Sequence, residues 1–237
     1  MFYRIINIQF VVRFYNKGQN MKKIFMNISC LGLALTSFSA YAVNIKPFVG
    51  ANLGLNGVEY ADNIKYATND IGIDLPESFF GIGGELGVKF ETEKVYSAAI
   101  TFAYDYTLNS KGDIDVMSKA YISSAEVGFS AWGITFDNYI RVSGNSPHRQ
   151  DVVLGLGLFN ANERFKMNVT NLAKTTYGLS DIDDDDDGTV VVFKVGYNYT
   201  MSKHIDWYLN GRLFIPTDSK SDIDAMFNMN AGIRFLF

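Results

Sequence analysis

Cysteine is nearly missing from this sequence, which has one cysteine in 237 residues. A disulfide framework and a zinc site made of several cysteines are therefore excluded. Histidine is also scarce, with only His148 and His204, so a histidine-rich metal centre is not expected. Charged residues make up only 19% of the chain and its mean hydropathy is +0.02, which suits neither a disordered chain nor a bundle of membrane helices. The formal net charge of −4 argues against nucleic acid as the main partner.

An export signal is predicted at residues 21–42. A basic start at 21–23, an apolar stretch over 24–38 and a small-x-small cleavage site at 40–42 are the three parts of a secretory signal peptide, in the right order. The alternative is a transmembrane anchor, but the apolar stretch is short for a bilayer span. The sequence therefore predicts export through the Sec pathway.

Residues 1–20 precede this complete signal, and we predict that they are not translated. The codons of Lys17 and Gly18 resemble a ribosome-binding sequence a short distance before the next methionine. A genuine N-terminal extension is the competing hypothesis. Cleavage of the signal leaves residues 43–237, which contain no cysteine and carry 16 basic against 25 acidic residues, a net charge of −9. Such a chain suits an oxidising compartment of the cell envelope.

Apolar and polar residues alternate through most of residues 43–237, which is the pattern of β-strands. Between Ile45 and Leu55, for example, one face is mainly apolar, whereas the other carries lysine, glycine and asparagine. No segment has the continuous apolar run of a membrane helix. The alternating segments are 45–55, 80–90, 96–108, 120–132, 152–158, 189–199, 205–215 and 227–237.

A soluble β-sandwich also alternates, but three features favour a membrane barrel. Most of the segments reach or exceed the roughly 9–11 residues that a tilted strand needs to cross a bilayer. Their polar face is rich in glycine and carries charges in mid-strand, which suits a narrow lumen. Aromatic residues gather near strand ends, as at Trp207 and Tyr208, like an interfacial girdle. The sequence therefore predicts an all-β fold, a closed antiparallel transmembrane β-barrel over 43–237.

The connections favour eight strands, with ten as the alternative. Tight turns at 91–94 and 201–204 alternate with long polar loops, like the short periplasmic turns and long extracellular loops of outer-membrane barrels. The alternation slips near Gly133, as a β-bulge would make it. Residues 134–142 either continue the preceding strand, which gives eight strands, or form their own strand, which gives ten. We prefer eight, with 164–170 as a projecting end of the fifth strand. The predicted long loops are 56–77, 109–119 and 169–188.

The last eight residues have a recognisable pattern. They read polar-x-Gly-x-x-aromatic-x-aromatic, with Asn230, Gly232, Phe235 and Phe237 at the specified positions. This pattern resembles the C-terminal β-signal of outer-membrane proteins, and the alternating chain looks similar to the outer-membrane β-barrel family of OmpA-type membrane domains and opacity-type surface proteins. The resemblance implies the bacterial outer membrane, with its lipid bilayer and lipopolysaccharide, and the barrel-assembly machinery as partners. It does not extend to the peptidoglycan-binding domain of full-length OmpA-type proteins.

Eight charged side chains fall on the polar, lumen-facing side of the predicted strands. We interpret them as a structural network in which acids and bases pair, because an eight-stranded lumen is narrow and isolated buried charges are unfavourable. Conduction through a partly open lumen is the alternative. The eight residues are Lys46, Glu85, Lys89, Asp105, Glu126, Lys194, Arg212 and Arg234.

The most acidic stretch of the chain is 181–188. Asp183, Asp185 and Asp187, followed by glycine, match the opening of a calcium loop, in which alternate carboxylates supply oxygen ligands. However, Lys194 stands where such a loop places its bidentate glutamate, so the full motif fails. We expect a solvated acidic surface loop, with calcium as a minor hypothesis and no other cofactor.

These features predict a structural or surface-interacting, adhesin- or antigen-like protein, with loops that meet a host or environmental ligand. A narrow channel for ions or solutes is the second hypothesis, and a lipid-modifying enzyme is the third. Such an enzyme needs a histidine beside a nucleophile or carboxylate at the outer rim. Both histidines are predicted on the periplasmic side, His204 in a tight turn and His148 in a connection, so we expect no enzyme. In the ten-strand alternative His148 would instead be extracellular.

Overall fold

The computed structural model describes residues 43–92, 95–144, 148–217 and 223–237. The predicted upstream segment and signal peptide, residues 1–42, lie outside the described residues. In chain order, the elements are β1 (Val43–Tyr60), α1 (Asp62–Asp70), β2 (Ile73–Asp74), β3 (Ser78–Thr92), β4 (Tyr96–Thr107), β5 (Ser110–Lys111), β6 (Asp113–Ile114), a 3-10 turn (Ser118–Ala120), β7 (Ile122–Ser143), β8 (Gln150–Val169), α2 (Asn171–Tyr177), β9 (Ile182–Ser202), β10 (Ile205–Pro216) and β11 (Ile223–Leu236). Within these ranges, no helix combines the length and the apolar character needed to cross a membrane.

Eight of the strands form one closed antiparallel ring. Neighbours around the ring are β4, β3, β1, β11, β10, β9, β8 and β7, and β7 pairs back to β4. The first and last strands meet along a long ladder that runs from the Phe48/Leu236 pair to the Tyr60/Ile223 pair. The preferred prediction of an eight-stranded antiparallel barrel is therefore confirmed, and ten strands are not formed.

The outward face of the ring carries a continuous band of exposed apolar side chains. Leu53 is 58% exposed and Leu156 is 52% exposed, although both lie in mid-strand. An apolar band that encircles a whole domain would be strongly unfavourable in water, and lipid tails are its natural cover. We call this band the outer belt. It consists of the outward-facing positions within 45–55, 80–90, 96–108, 132–142, 152–158, 191–201, 205–215 and 227–237.

At one end of the barrel the connections between ring strands are all short, and at the other end three of them are long. We call these the periplasmic and the extracellular end, after the topology of outer-membrane barrels. Parts of the predicted loops 56–77 and 169–188 are strand instead, because β1 continues to Tyr60 and β9 already begins at Ile182. The short connections join β3 to β4, β7 to β8 and β9 to β10.

Beyond the outer belt, β7, β8 and β9 continue as a sheet, and the short strand β5 pairs with β7 at its edge. The β7–β8 ladder runs from the Trp132/Asn160 pair up to the Ile122/Val169 pair. This sheet and the long connections 61–77, 108–121 and 170–181 form what we call the extracellular head. The first two connections pair with each other through β2 and β6, and the head has a core of its own. The buried members of that core are Ile73, Ile122, Ala125, Met167, Val169 and Ala173.

Strand β7 passes through Gly133 without the predicted bulge, since its two register shifts lie near its ends. What changes near Gly133 is the surroundings of the strand. Within the outer belt, apolar side chains such as Ile134 face outward, whereas toward the head, apolar side chains such as Phe129 face inward and are buried. The apolar face therefore switches sides while the backbone continues. The bulge interpretation was wrong, and residues 134–142 belong to the same strand.

Candidate functional site

The centre of the lumen is an ion pair between Arg234 on β11 and Glu85 on β3. The guanidinium donates two hydrogen bonds to the carboxylate, from Nε to Oε1 and from Nη2 to Oε2, the latter at 3.2 Å. Its Nη1 also donates to Tyr139 Oη at 2.8 Å and to Asn198 Oδ1 at 3.4 Å. The ring of Tyr208 lies 4.3 Å from the guanidinium carbon, in a cation–π contact. Partners of Arg234 thus come from β7, β9 and β10 as well as from β3.

Further ion pairs extend this network through the barrel. Arg212 contacts Asp105 and also lies 3.9 Å from Glu85, so the carboxylate of Glu85 meets two guanidinium groups. Lys89 pairs with Asp206 at 3.0 Å and Lys194 with Asp137 at 2.7 Å.

The network continues to the periplasmic mouth. There Arg149 pairs with Asp151 and lies 3.6 Å from Glu91, which also pairs with Lys46 at 2.5 Å. These lumen ion pairs join six bases to six acids, which is the balance that a buried network needs. The bases are Lys46, Lys89, Arg149, Lys194, Arg212 and Arg234, and the acids are Glu85, Glu91, Asp105, Asp137, Asp151 and Asp206.

Lumen-facing glycines leave room for these side chains. A Cβ atom on Gly83 would lie 2.6 Å from both Asn52 Oδ1 and Asp105 Oδ1. A Cβ atom on Gly155 would collide with the carboxylate of Asp137. The glycine-rich polar face in the sequence therefore reflects the volume of the charged groups opposite it.

The extracellular half of the lumen is filled by apolar side chains instead. The rings of Phe79 and Phe129 pack edge to face with centroids 5.2 Å apart, and those of Phe159 and Phe214 do so at 5.6 Å. Methionine and valine side chains complete this apolar plug. The charge network and the apolar plug follow one another along the lumen. The plug consists of Val58, Tyr60, Phe79, Ala103, Val127, Phe129, Ala131, Phe159, Val190, Val192, Phe214, Ile223 and Met226.

Seven of the eight predicted lumen charges lie in the lumen, and Glu126 does not. Glu126 lies on the outward face of the extracellular head, opposite Lys166 in register and 4.0 Å from Lys111. The prediction was wrong for Glu126 because it took the polar face of this strand to be the lumen face. In the head, which water surrounds, the polar face points outward.

The prediction also missed five charged members of the network. Asp137 and Asp206 continue the lumen-facing side of β7 and β10, so alternation could have found them. Arg149 and Asp151 lie where the strand predicted over 152–158 had not yet begun, and Glu91 lay in a predicted turn. Strand ends were therefore the weak point of the prediction.

The acidic stretch is an extended strand and not a loop. Asp183 pairs with Lys166 at 2.9 Å, and Asp185 pairs with Arg164 at 3.3 Å across the β8–β9 ladder. Asp187 accepts a hydrogen bond at 3.1 Å from an asparagine on β8. Each of the three carboxylates thus has its own partner, and they do not converge as calcium ligands do. In the part of the chain that the structure describes, no group of three or more potential metal ligands is gathered.

A separate ion pair ties α2 to the start of β9. Lys174 Nζ donates to Asp181 Oδ2 at 2.6 Å, and the backbone N–H of Val169 donates to Asp181 Oδ1 at 2.8 Å. The hydrogen bond from Lys174 is the main cause that lowers the pKa of the Asp181 carboxyl below its ordinary value, and the Val169 N–H adds to it.

Both histidines lie at the periplasmic end. His204 Nδ1 is 3.1 Å from the carbonyl oxygen of Leu236, and the His148 ring stacks on Tyr199 with centroids 6.5 Å apart. Neither imidazole is beside a serine or carboxylate at the extracellular rim.

The residues of the terminal pattern divide between the two faces of β11. Asn230 and Gly232 face the lumen, whereas Phe235 and Phe237 face outward and are exposed.

Several solved structures resemble this chain. They include Ail, the attachment invasion locus protein of Yersinia pestis, in complex with the heparin analogue sucrose octasulfate (11% identity, 82% of this chain and 99% of that chain, TM-score 0.49). The N-terminal β-barrel domain of Pseudomonas aeruginosa OprF (12%, 81% and 97%, 0.46) and a major outer membrane protein from Thermus thermophilus (11%, 81% and 99%, 0.47) are also similar. No protein-family model and no curated protein matches the sequence. The strand ring, the filled lumen and the outer belt identify the fold as an eight-stranded β-barrel of the outer-membrane type.

Proposed function

We propose that the protein is an integral outer-membrane barrel that acts at the cell surface through its extracellular head, in a structural or adhesin-like role. The observation that supports this proposal is a contrast between the two parts of the molecule. The lumen is filled by paired charges and aromatic rings, whereas the head is an ordered body with a core of its own. A scaffold that presents a binding surface needs an ordered head of this kind. It makes no use of an open lumen.

The head has the rigidity that a binding surface requires. Thr170 is the N-cap of α2, and its side chain accepts a hydrogen bond from the backbone N–H of Ala173. The same hydroxyl donates a hydrogen bond to the carbonyl of Ala120 at 2.8 Å, and this bond joins the connections 108–121 and 170–181. The rings of Tyr121 and Tyr177 make a second contact between these connections, with centroids 5.7 Å apart. A ligand would therefore meet a surface that is ordered before binding.

The tip of the head exposes apolar side chains far from the outer belt. Val116 is 85% exposed and Met117 is 84% exposed, in the connection that leads to the 3-10 turn. Exposed apolar side chains at such a site are typical of contacts with another macromolecule. Elsewhere on the head, β9 presents five consecutive aspartates, so a partner with basic groups is favoured.

Adhesion by intact cells tests this proposal. Bacteria that display the wild-type barrel are compared with bacteria that display Val116→Ser/Met117→Ser, with fixed epithelial cells as the probe. We expect the double variant to lower the number of attached bacteria at equal surface expression. Lys203→Ser, at the exposed periplasmic turn, is the matched control and should attach like wild type.

Planar-bilayer recordings address the competing channel hypothesis. We expect the refolded wild-type barrel to show no large, stable conductance, because charges and rings fill the lumen. A large conductance together with unchanged attachment of the tip variant would replace the surface role by a transport role.

We further propose that the outward-facing phenylalanines of the terminal pattern are read by the barrel-assembly machinery, and that lipid and lipopolysaccharide surround the outer belt. Phe237→Ala tests the first part. Because Phe237 is exposed and at the end of the barrel, we expect normal refolding of the variant in detergent but a lower folded amount in the cell envelope. A defect in refolding would show a structural role instead.

A further inference from the structure

One side chain in the outer belt is polar. Asn138 lies on the outward face of β7 and is exposed there, and in the described residues every other belt position is apolar, aromatic or glycine. Its neighbours across the ladders are Ala98 on β4 and Leu154 on β8. None of the described side chains or backbone groups forms a hydrogen bond with the side-chain amide of Asn138.

Asn138 does not belong to the rim of the belt. On its own strand, Ile140 and Val142 continue the outward apolar row toward the periplasmic end. On the neighbouring strands, Tyr96 and Val152 lie below it in register. The polar rim at the other end of the belt, at Asn160 and Thr189, is also separated from Asn138 by several outward apolar positions. The amide is therefore held among lipid-facing side chains, where acyl chains offer it no hydrogen bond.

We propose that Asn138 marks a lateral interface at which two copies of this barrel pair in the membrane, with the two amides bonded to each other about a twofold axis. A second copy brings the same unpaired amide to the same depth and in the correct orientation. A carboxamide both donates and accepts, so it is complementary to itself, as a residue on a twofold axis must be.

The surface beside Asn138 permits the close approach that this pairing needs. Ala98, directly opposite, is small and does not project beyond its neighbours on the outward face, since only 1% of it is exposed. Small residues next to a polar side chain are typical of interfaces within membranes, because they let two backbones come near each other. Ile100 and Phe136 above this pair and Ile140 below it supply the apolar contacts around the amides.

Cysteine cross-linking in intact envelopes tests the geometry. Residues 43–237 contain no cysteine, so an introduced thiol is unique in the exported chain if residues 1–42 are removed. Phe136→Cys lies one outward position from Asn138 and leaves the amide in place. Met229→Cys, on β11 at the opposite side of the ring, is the matched control. We expect a disulfide-linked dimer of twice the chain mass from Phe136→Cys and none from Met229→Cys.

Sedimentation equilibrium of the purified barrel in detergent tests the role of the amide. We expect Asn138→Leu to weaken dimerisation by about threefold to tenfold, since hydrogen bonds within membranes make modest contributions. Asn138→Gln, which keeps the amide, should retain most of the dimer, and Phe136→Leu serves as a control for altered packing. The folded fraction of Asn138→Leu should equal or exceed that of wild type, since leucine suits a lipid-facing position.

Four results would overturn the proposal. Equal cross-linking from Phe136→Cys and Met229→Cys would show that the two copies have no specific interface at Asn138. A Phe136→Cys adduct with a different protein would show that another partner lies there. A monomeric wild type that also fails to cross-link in envelopes would show that no such interface forms. A dimer that Asn138→Leu leaves unchanged would show that the amide does not contribute to it.

Discussion

Arg234 and Glu85 form a bidentate ion pair inside a lumen where neither side chain is more than 2% exposed. Breaking a buried pair by removing one partner leaves the other charge without compensation. We therefore expect Glu85→Gln to lower the free energy of unfolding by about 3–5 kcal/mol, measured by denaturant titration of the refolded barrel in detergent. Glu59→Gln, an exposed carboxylate near the end of β1, should change the same quantity by less than about 0.5 kcal/mol.

The double variant Glu85→Gln/Arg234→Gln tests how much of this stabilisation comes from the direct interaction between the two side chains. Because both charges are then absent, we expect it to be more stable than the sum of the two single changes predicts. Strict additivity would contradict a direct coupling of the two side chains.

The sequence could predict the barrel and the faces of its strands within the outer belt. There a single rule holds, since apolar side chains face lipid and polar ones face the lumen, as at Leu86 beside Glu85 and Ile233 beside Arg234. The same rule correctly predicted the lumen position of seven of the eight charges.

The same rule failed where the strands leave the membrane. Water surrounds the head, so on β7 apolar side chains such as Phe129 turn inward and polar ones such as Glu126 turn outward. On β7 this reversal looked like a bulge at Gly133 and placed Glu126 on the wrong face. On β9 it made a paired strand look like an acidic loop. No local signal in the sequence states where the lipid ends, and the head was therefore not predicted as a folded body.

The folding of the extracellular head should depend on Ala173, which is fully buried between α2 and the core of the head. We expect Ala173→Glu to place a carboxylate without a partner in this core and to expose 171–177 to proteolysis. Leu172→Glu, on the exposed side of the same helix, should leave the helix protected. Both variants should keep the heat-resistant migration of a folded barrel on gels, because the lumen is unchanged. Loss of the barrel in Ala173→Glu alone would show that head and barrel fold as one unit.

The paired carboxylates on β9 should contribute little to stability and little to calcium binding. Asp183 and Lys166 are both more than 40% exposed, so we expect Asp183→Asn to change the free energy of unfolding by less than about 1 kcal/mol, and by less still at high salt. Calorimetry should show no saturable calcium binding at micromolar concentration. Saturable binding that Asp183→Asn/Asp185→Asn/Asp187→Asn abolishes would instead restore the calcium hypothesis.

The pair between Lys174 and Asp181 should make the junction of α2 and β9 sensitive to acid. The pKa of Asp181 is lowered in the folded head, chiefly by the hydrogen bond from Lys174. A carboxyl with a lowered folded pKa stabilises the fold above its unfolded pKa, and this contribution is lost as the pH falls through the folded pKa. We therefore expect the hydrogen-exchange protection factors of 171–181, which correct for the pH dependence of the intrinsic rate, to fall on acidification below the pH at which an ordinary aspartate titrates. Lys174→Met should raise the pKa of Asp181 in an NMR titration and move the loss of protection to higher pH. Lys119→Met, in the neighbouring connection, should change neither. An unchanged Asp181 titration in Lys174→Met would show that the Val169 N–H alone sets its pKa.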